Sequence, residues 1–176
     1  HLSGTGAGDL YDISFLPVTF PVSEGEGTLG IHSKFSHDEE SASAGYYQVR
    51  LKDYDINVEL TATPRCGIQR YTFPGGDAAV LLNLAKAMNW DATDDSHIEV
   101  VDSVTIQGYR FSEGWARGQK VFFRTRFSEP FAKMTVDSTA IVRGGQQIGW
   151  GYTARFDYPT RPGQQLTLAT ALSCTS

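Results

Sequence analysis

The opening of the sequence is the segment with the most unusual local chemistry. Gly4, Gly6 and Gly8 alternate with other residues ahead of the first strand-like stretch. The segment follows no visible strand, opens no helix and lacks a Lys-Ser or Lys-Thr pair, so neither a P-loop nor a dinucleotide loop is predicted. Glycines allow bare backbone groups, together with the Ser3 and Thr5 hydroxyls, to approach a polar ligand. A flexible lead-in that only turns the chain is the alternative, and composition leaves both interpretations open.

Acidic and histidine residues form no recognisable metal or catalytic pattern. Asp91, Asp94 and Asp95 lack the alternating spacing and the closing Glu of a calcium loop, so a solvated loop is the favoured interpretation. The histidines are scattered, without a second His at i+4 or a nearby Cys, which argues against a metal site. No local pattern identifies the acid and base carboxylates that glycoside hydrolysis needs.

The tryptophans are the residues best suited to contact a sugar. Trp90, Trp115 and Trp150 are each flanked by polar or glycine residues. An exposed indole stacks well on the apolar face of a sugar ring. Packing into the sandwich is the more common fate of a tryptophan, so both roles are kept as hypotheses.

Composition and charge narrow the classes of partner. The 176 residues carry a net charge of -5 and no Lys/Arg cluster. Phosphate binding needs concentrated positive charge, so a nucleic-acid partner is excluded and neutral ligands such as sugars fit better. No apolar run approaches the roughly 20 residues of a membrane span, so no membrane span is predicted. Cys66 and Cys174 are too few for a disulfide framework, and two buried free thiols are expected.

Strand patterns dominate, and a single all-β domain over residues 1–176 is predicted. Segments rich in Val, Ile, Thr, Tyr and Phe, punctuated by Gly, Asp and Pro, are typical of an antiparallel β-sandwich. Ala78–Leu84 is apolar on both faces, which fits a central strand or a short buried helix, and a strand is favoured. Ser36–Gly45 and Asn89–Ser96 are predicted polar loops. The predicted strands are Asp12–Phe20, Thr28–Phe35, Gly45–Lys52, Ile56–Thr63, Gly67–Phe73, Ala78–Leu84, His97–Phe111, Lys120–Phe127, Ala132–Val136, Gly149–Tyr158 and Gln164–Cys174.

Several longer motifs occur in a fixed order along the chain. They are His1–Gly6 with Asp9 and Asp12, Lys34–His37, Gly45–Val49, Val58–Arg65, Arg70–Pro74, Gly108–Arg110, Gly114–Ala116, Phe127–Phe131 and Leu172–Ser176. In this order they resemble, from end to end, the N-terminal domain of glycoside hydrolase family 92, the calcium-dependent exo-α-mannosidases. The chain departs from the family pattern at Gln69, where His is common, and at Ala44, where Pro commonly precedes Gly-Tyr-Tyr.

The resemblance implies a fold, a reaction and the domain that carries the catalytic groups. The fold would be a large antiparallel β-sandwich of the supersandwich, galactose-mutarotase-like type, packed on a C-terminal (α/α)₆ barrel. The enzyme would remove terminal α-linked mannose from glycans with inversion, using a Glu acid, an Asp base and Ca²⁺. In the family those groups belong to the barrel, so this chain is expected to be inactive alone. It is also expected to begin inside the opening motif. Its proposed substrate contacts are His1, Ser3, Gly4, Thr5, Gly6 and Asp9.

Two other functions compete with this reading of the motifs. A freestanding carbohydrate-binding β-sandwich would bind sugars on aromatic platforms, and a purely structural sandwich would bind no ligand. Several hundred further residues with helical hairpins downstream would favour the mannosidase. By resemblance alone, secretion into the periplasm or outside the cell is expected, while the glycosidic linkage is not specified.

Overall fold

The computed structural model describes residues 12–22, 31–86, 91–114 and 116–175. In these ranges the chain forms twelve strands and one short 3-10 turn, His37–Glu39, and no helix has the length and apolar character that crossing a membrane requires. The predicted all-β fold is confirmed. The strands are β1 (Ser14–Thr19), β2 (Glu40–Ser43), β3 (Tyr46–Leu51), β4 (Ile56–Ala62), β5 (Cys66–Thr72), β6 (Gly76–Asn83), β7 (Ala92–Asp102), β8 (Thr105–Glu113), β9 (Gln119–Phe127), β10 (Lys133–Arg143), β11 (Gln146–Thr160) and β12 (Gln165–Ser173).

The described strands form two antiparallel sheets of unequal width. The narrow sheet has four strands in the order β1-β6-β11-β10, and the wide sheet has eight in the order β2-β3-β4-β5-β12-β9-β8-β7. Strand β6 lies inside the narrow sheet, between β1 and β11. Its residues 78–82 are buried on both faces, which confirms the strand interpretation of this apolar segment.

Aromatic side chains join the two sheets. Phe127, at the end of β9, is 1% exposed. Its ring centroid lies 6.4 Å from that of Phe15 on β1, 5.0 Å from Phe156 and 6.2 Å from Tyr158 on β11. These contacts bury apolar rings from both sheets against one another, which is the main source of stability in a sandwich.

Polar contacts close the side of the sandwich where β7 is the edge strand. The Trp150 backbone N–H donates to Asp95 Oδ1 at 2.9 Å. The Ser96 hydroxyl donates to the Trp150 carbonyl at 3.0 Å and accepts from the Tyr152 N–H at 2.8 Å. Gly149 permits this approach, because a Cβ there would lie 2.2 Å from the Asp94 carbonyl oxygen. β11 therefore covers the edge of β7, which protects it from pairing with another chain.

Four sequence predictions need correction. Asn89–Ser96 is not a loop from Ala92 onward, because those residues begin β7. His97–Phe111 is not one strand, because Asp102 Oδ1 accepts the Val104 N–H and stabilises a turn between β7 and β8. Ser36–Gly45 contains the 3-10 turn and β2 rather than a loop throughout. In Thr28–Phe35, the described residues 31–35 form no strand, and residues 28–30 lie outside the described ranges.

Removing the Phe127 ring should destabilise the domain strongly. We expect Phe127→Ala to lower the free energy of unfolding by about 3–5 kcal/mol, because a cavity would form between the sheets. Val142→Ala is the control, since Val142 is 61% exposed and surface changes usually stay within about 0.5 kcal/mol. Chemical denaturation of the chain measures both, and similar losses would contradict the assigned core.

Candidate functional site

Arg110 on β8 is the centre of a buried polar network. Its side chain is fully buried, and Nη1 donates to Asp12 Oδ1 at 2.5 Å and to Asp91 Oδ2 at 2.9 Å. Nε and Nη2 donate to the Thr93 hydroxyl at 3.1 and 2.8 Å, and Nε also contacts the Leu84 carbonyl oxygen at 3.2 Å. A buried charge is tolerated only when it is paired and hydrogen-bonded, and these partners meet that requirement.

The alternation of β8 explains why this arginine is inside. Ile106, Arg110 and Ser112 face the narrow sheet and are buried, whereas Tyr109 and Phe111 lie on the outer face and are half-buried. Sequence analysis noted Arg110 only as part of a family motif and assigned it no role. The sequence did hold one signal, since Arg110 stands between the aromatic residues Tyr109 and Phe111 in a strand. Neighbouring residues of a strand point to opposite faces, so either the arginine or the two aromatic residues must face the interior.

Asp12 connects this network to the opening of the chain. Its carboxylate is 2% exposed and accepts from Gln119 Nε2 at 2.8 Å and from the Ser112 hydroxyl at 3.4 Å, besides Arg110. Burial raises the pKa of Asp12, although the neighbouring guanidinium opposes the rise and the charge of Asp91 adds to it. One guanidinium thus faces two carboxylates in the interior.

The residues predicted to contact substrate lie outside the described ranges, except Trp150, which is 43% exposed on β11. This holds for His1, Ser3, Gly4, Thr5, Gly6 and Asp9, and for Trp90 and Trp115. Their roles therefore stay predictions. What the structure fixes is the residues next to them in sequence, since Asp12 follows the first segment, Asp91 follows Trp90, and Ser112 and Gln119 flank Trp115. These four flanking residues belong to the Arg110 network, or bond directly to Asp12 within it.

The acidic residues near position 94 have protein partners. Asp94 pairs with Arg143 at 2.7 Å, and Asp95 accepts from the Tyr109 hydroxyl at 3.0 Å. The interpretation of Asp91, Asp94 and Asp95 as a solvated loop is therefore wrong, because strand pairing and ion pairs hold them in place. In the described part of the chain, no group of three or more His, Cys, Asp or Glu residues could hold a metal ion.

An aromatic row crosses the outer face of the wide sheet. The rings of His97 and Tyr109 are stacked with centroids 5.8 Å apart, and those of Tyr109 and Phe111 with centroids 4.3 Å apart. Lys120 Nζ lies 5.3 Å from the Phe111 centroid. The ring faces contact one another and a cation, so this row does not offer the open face on which a sugar stacks.

A cavity of about 400 Å³ adjoins the network on the side of Asp12. Asp12 and Ile13 form part of its wall, together with Cys66, Leu172 and Cys174. Both thiols are free. The expected burial of both is wrong: Cys66 is only partly buried, and Cys174, which follows the last residue of β12, is exposed.

Comparison with known proteins identifies the family. Residues 1–173 match the glycosyl hydrolase family 92 N-terminal domain. The chain belongs to this family. Its structure superimposes with a TM-score of 0.84 and 31% identity on the family GH92 α-mannosidase BT3965 from Bacteroides thetaiotaomicron, solved in complex with mannoimidazole. That match covers 100% of this chain and 25% of BT3965, so the chain spans about a quarter of that protein.

A second family 92 structure supports the fold. The inverting mannosidase BT2199 from Bacteroides thetaiotaomicron VPI-5482 matches with a TM-score of 0.72 and 21% identity, over 93% of this chain and 22% of its own. At this identity the likeness concerns the fold alone. A search of curated proteins gives no match. The family 92 domain described here is thus the expected β-sandwich.

Removing the guanidinium of Arg110 should unfold or strongly destabilise the family 92 domain. Arg110→Met keeps most of the volume but leaves Asp12 and Asp91 buried without their cation, and we expect a loss of about 3–5 kcal/mol in the free energy of unfolding. The loss should be smaller at about pH 4 than at about pH 7. Burial already raises the pKa of Asp12, and removing the guanidinium that opposes this rise raises the pKa further. At the lower pH the variant can therefore bury Asp12 in its neutral, protonated form.

Arg70→Met is the matched control. Arg70 pairs with Glu59 on the outer face of the wide sheet, and its side chain is 46% exposed. Exposed pairs are screened by water and contribute little, so this variant should change stability only slightly. Denaturant titrations at both pH values measure the two variants, and equal losses would contradict a special role for the Arg110 network.

Proposed function

We propose that this chain is the N-terminal domain of an α-mannosidase that removes terminal α-linked mannose from glycans with inversion. The observation that carries the proposal is the 31% identity over the full chain to the α-mannosidase BT3965. Family membership over residues 1–173 favours the same class of reaction. Action in the periplasm or outside the cell is part of the proposal on the basis of the family resemblance alone.

In this enzyme, the opening segment would form part of the wall of the mannose pocket. Its small residues let backbone N–H and C=O groups approach sugar hydroxyls closely. Support comes from Asp12, which Arg110 and Gln119 fix directly after the segment, so that the segment joins the domain at a defined position. The residues proposed to contact the sugar are His1, Ser3, Gly4, Thr5, Gly6 and Asp9.

The catalytic groups are proposed to lie in a separate (α/α)₆ barrel. Inverting glycosidases need an acid and a base about 6.5–9.5 Å apart with room for water between them. Among the described residues, the buried carboxylates of Asp12 and Asp91 are engaged by Arg110 instead. The described residues also offer no cluster that fits the Ca²⁺ of the family, so we assign that ion to the barrel and derive no step through it.

The barrel is also the proposed partner surface of this domain. Four of the eight large hydrophobic side chains exposed in the described part of the chain lie on β10 and β11. Exposed apolar surface of this kind often marks an interaction site. Because the chain spans about a quarter of BT3965, we propose that the barrel of the complete protein covers the exposed apolar side chains of β10 and β11. The four residues are Val136, Val142, Ile148 and Trp150.

The isolated chain should not hydrolyse α-mannosides. We expect no release of 4-nitrophenol from 4-nitrophenyl α-mannoside by the purified 176-residue chain, with or without added Ca²⁺, because the acid, the base and the metal belong to the barrel. The complete protein is the control and should be active. Metal-dependent release of mannose by the chain alone would show that the active site lies in this domain.

Gly6→Val in the complete protein tests the pocket wall. A branched side chain at this position should block the sugar, so we expect kcat/KM to fall about ten- to a hundredfold with little change in melting temperature. Gly6→Ala is the control and should show a smaller fall, because it adds a single methyl group. An unchanged kcat/KM would refute the pocket role, and a large fall in melting temperature with normal activity would assign the segment a structural role.

A further inference from the structure

The residues that flank three of the predicted sugar-contacting segments belong to one buried network. Arg110 bonds the Leu84 carbonyl and Asp91, which flank residues 85–90, and also Asp12, which follows residues 1–11. Asp12 in turn accepts from Ser112 and Gln119, which flank residues 113–118. These partners are up to 107 positions apart in sequence. A single buried guanidinium therefore fixes the relative positions of distant parts of the chain.

Chain geometry limits how far the predicted contacts can lie from this point. A residue advances the chain by at most about 3.6 Å. Three residues, the separation of Asp9 from Asp12 in sequence, can therefore span at most roughly 11 Å, and six residues at most roughly 22 Å. A displacement of Asp12 would carry over to these residues, and a misplacement of about 1 Å in an active site can cost about a hundredfold in rate.

The choice of arginine for this buried position favours a geometric role. Well-packed apolar side chains of similar volume often stabilise a protein as well as, or better than, a buried ion network. A planar guanidinium differs from them by donating in several fixed directions, here to Asp12, Asp91 and Thr93. It can thereby hold two carboxylates at a defined angle, which an apolar side chain cannot do.

We propose that Arg110 is a positioning residue for α-mannoside hydrolysis, acting through Asp12 and Asp91 on the segments that contact the sugar. The proposal rests on the proposed function, in which the segment before Asp12 forms the pocket wall. Arg110 itself is fully buried and touches no substrate. Its contribution is to keep Asp12, and with it the start of the pocket segment, in one place.

Arg110→Lys in the complete protein is the first test. Lysine keeps the positive charge, and so limits destabilisation, but its single ammonium lacks the planar set of donors with which arginine reaches Asp12, Asp91 and Thr93 together. We expect kcat/KM for 4-nitrophenyl α-mannoside to fall about ten- to a hundredfold at a temperature where the variant is fully folded. Phe127→Leu, which weakens the core away from the network, is the control for stability and should retain normal kcat/KM. Equal losses in the two variants would overturn the proposal.

Asp12→Asn provides a second variant in case Arg110→Lys does not fold. Asparagine keeps an acceptor oxygen for Arg110 but loses the charge, so we expect a smaller fall in kcat/KM in the same direction. An unchanged kcat/KM in a folded Asp12→Asn enzyme would overturn the positioning role.

A double-mutant cycle separates positioning from a general structural effect. If Arg110 acts through the opening segment, Arg110→Lys should cost much less in kcat/KM when Gly6→Val has already disrupted that segment. Additive losses would overturn the proposal. Unchanged activity of Gly6→Val alone would overturn the proposed function, whereas a loss in Gly6→Val with an unchanged Arg110→Lys enzyme would overturn only the positioning role.

Discussion

A fully buried guanidinium imposes the strictest constraint on this domain. The charge of Arg110 has no access to water, so carboxylates, a hydroxyl and a carbonyl must all be brought to it during folding. The groups that bond Arg110 lie next to the start of β1, the end of β6 and the start of β7, and Gln119 at the start of β9 bonds Asp12. The hydrogen bonds that Arg110 requires thus fix the ends of several strands at the same end of the sandwich.

The two sheets are held together by ring contacts and by polar contacts. The wide sheet contributes Arg110 and Thr93, and the narrow sheet packs over it through the ring contacts of Phe127. Polar bonds between β7 and β11 hold the side of the sandwich closest to the network. Asp12 and its partners Arg110 and Ser112 are buried, so contacts inside the sandwich set the position of Asp12.

Much of the fold could be predicted from alternation of residue types. Ile56 and Val58 are buried on β4 as the period-2 pattern requires, and the doubly apolar segment became the interior strand β6. The pattern failed at Asp94 and Asp95, where ion pairs and a bulge allow acidic residues in a strand. Local sequence carries no information about such partners, because they lie on distant strands.

Arg110 shows the same limit at the candidate site. Period-2 reasoning places a charged residue on the wet face and its aromatic neighbours inside, whereas the structure reverses this order on β8. Partners elsewhere in the chain, among them Asp91 and Asp12, which is 98 positions away, make the reversal favourable. The family motifs located the relevant segments, but they could not indicate that one buried side chain connects them.

In the proposed enzyme, the segment before Asp12 contacts the terminal sugar while Arg110 holds Asp12 in place. A crystal structure of the complete protein with mannoimidazole, the compound bound in the BT3965 structure, tests it most directly. The account predicts backbone or hydroxyl groups of Ser3–Gly8 within about 3.2 Å of the compound's hydroxyl groups, with Asp12 still bonded to Arg110. A segment lying away from the bound compound, with the sugar contacted only by other parts of the protein, would contradict it.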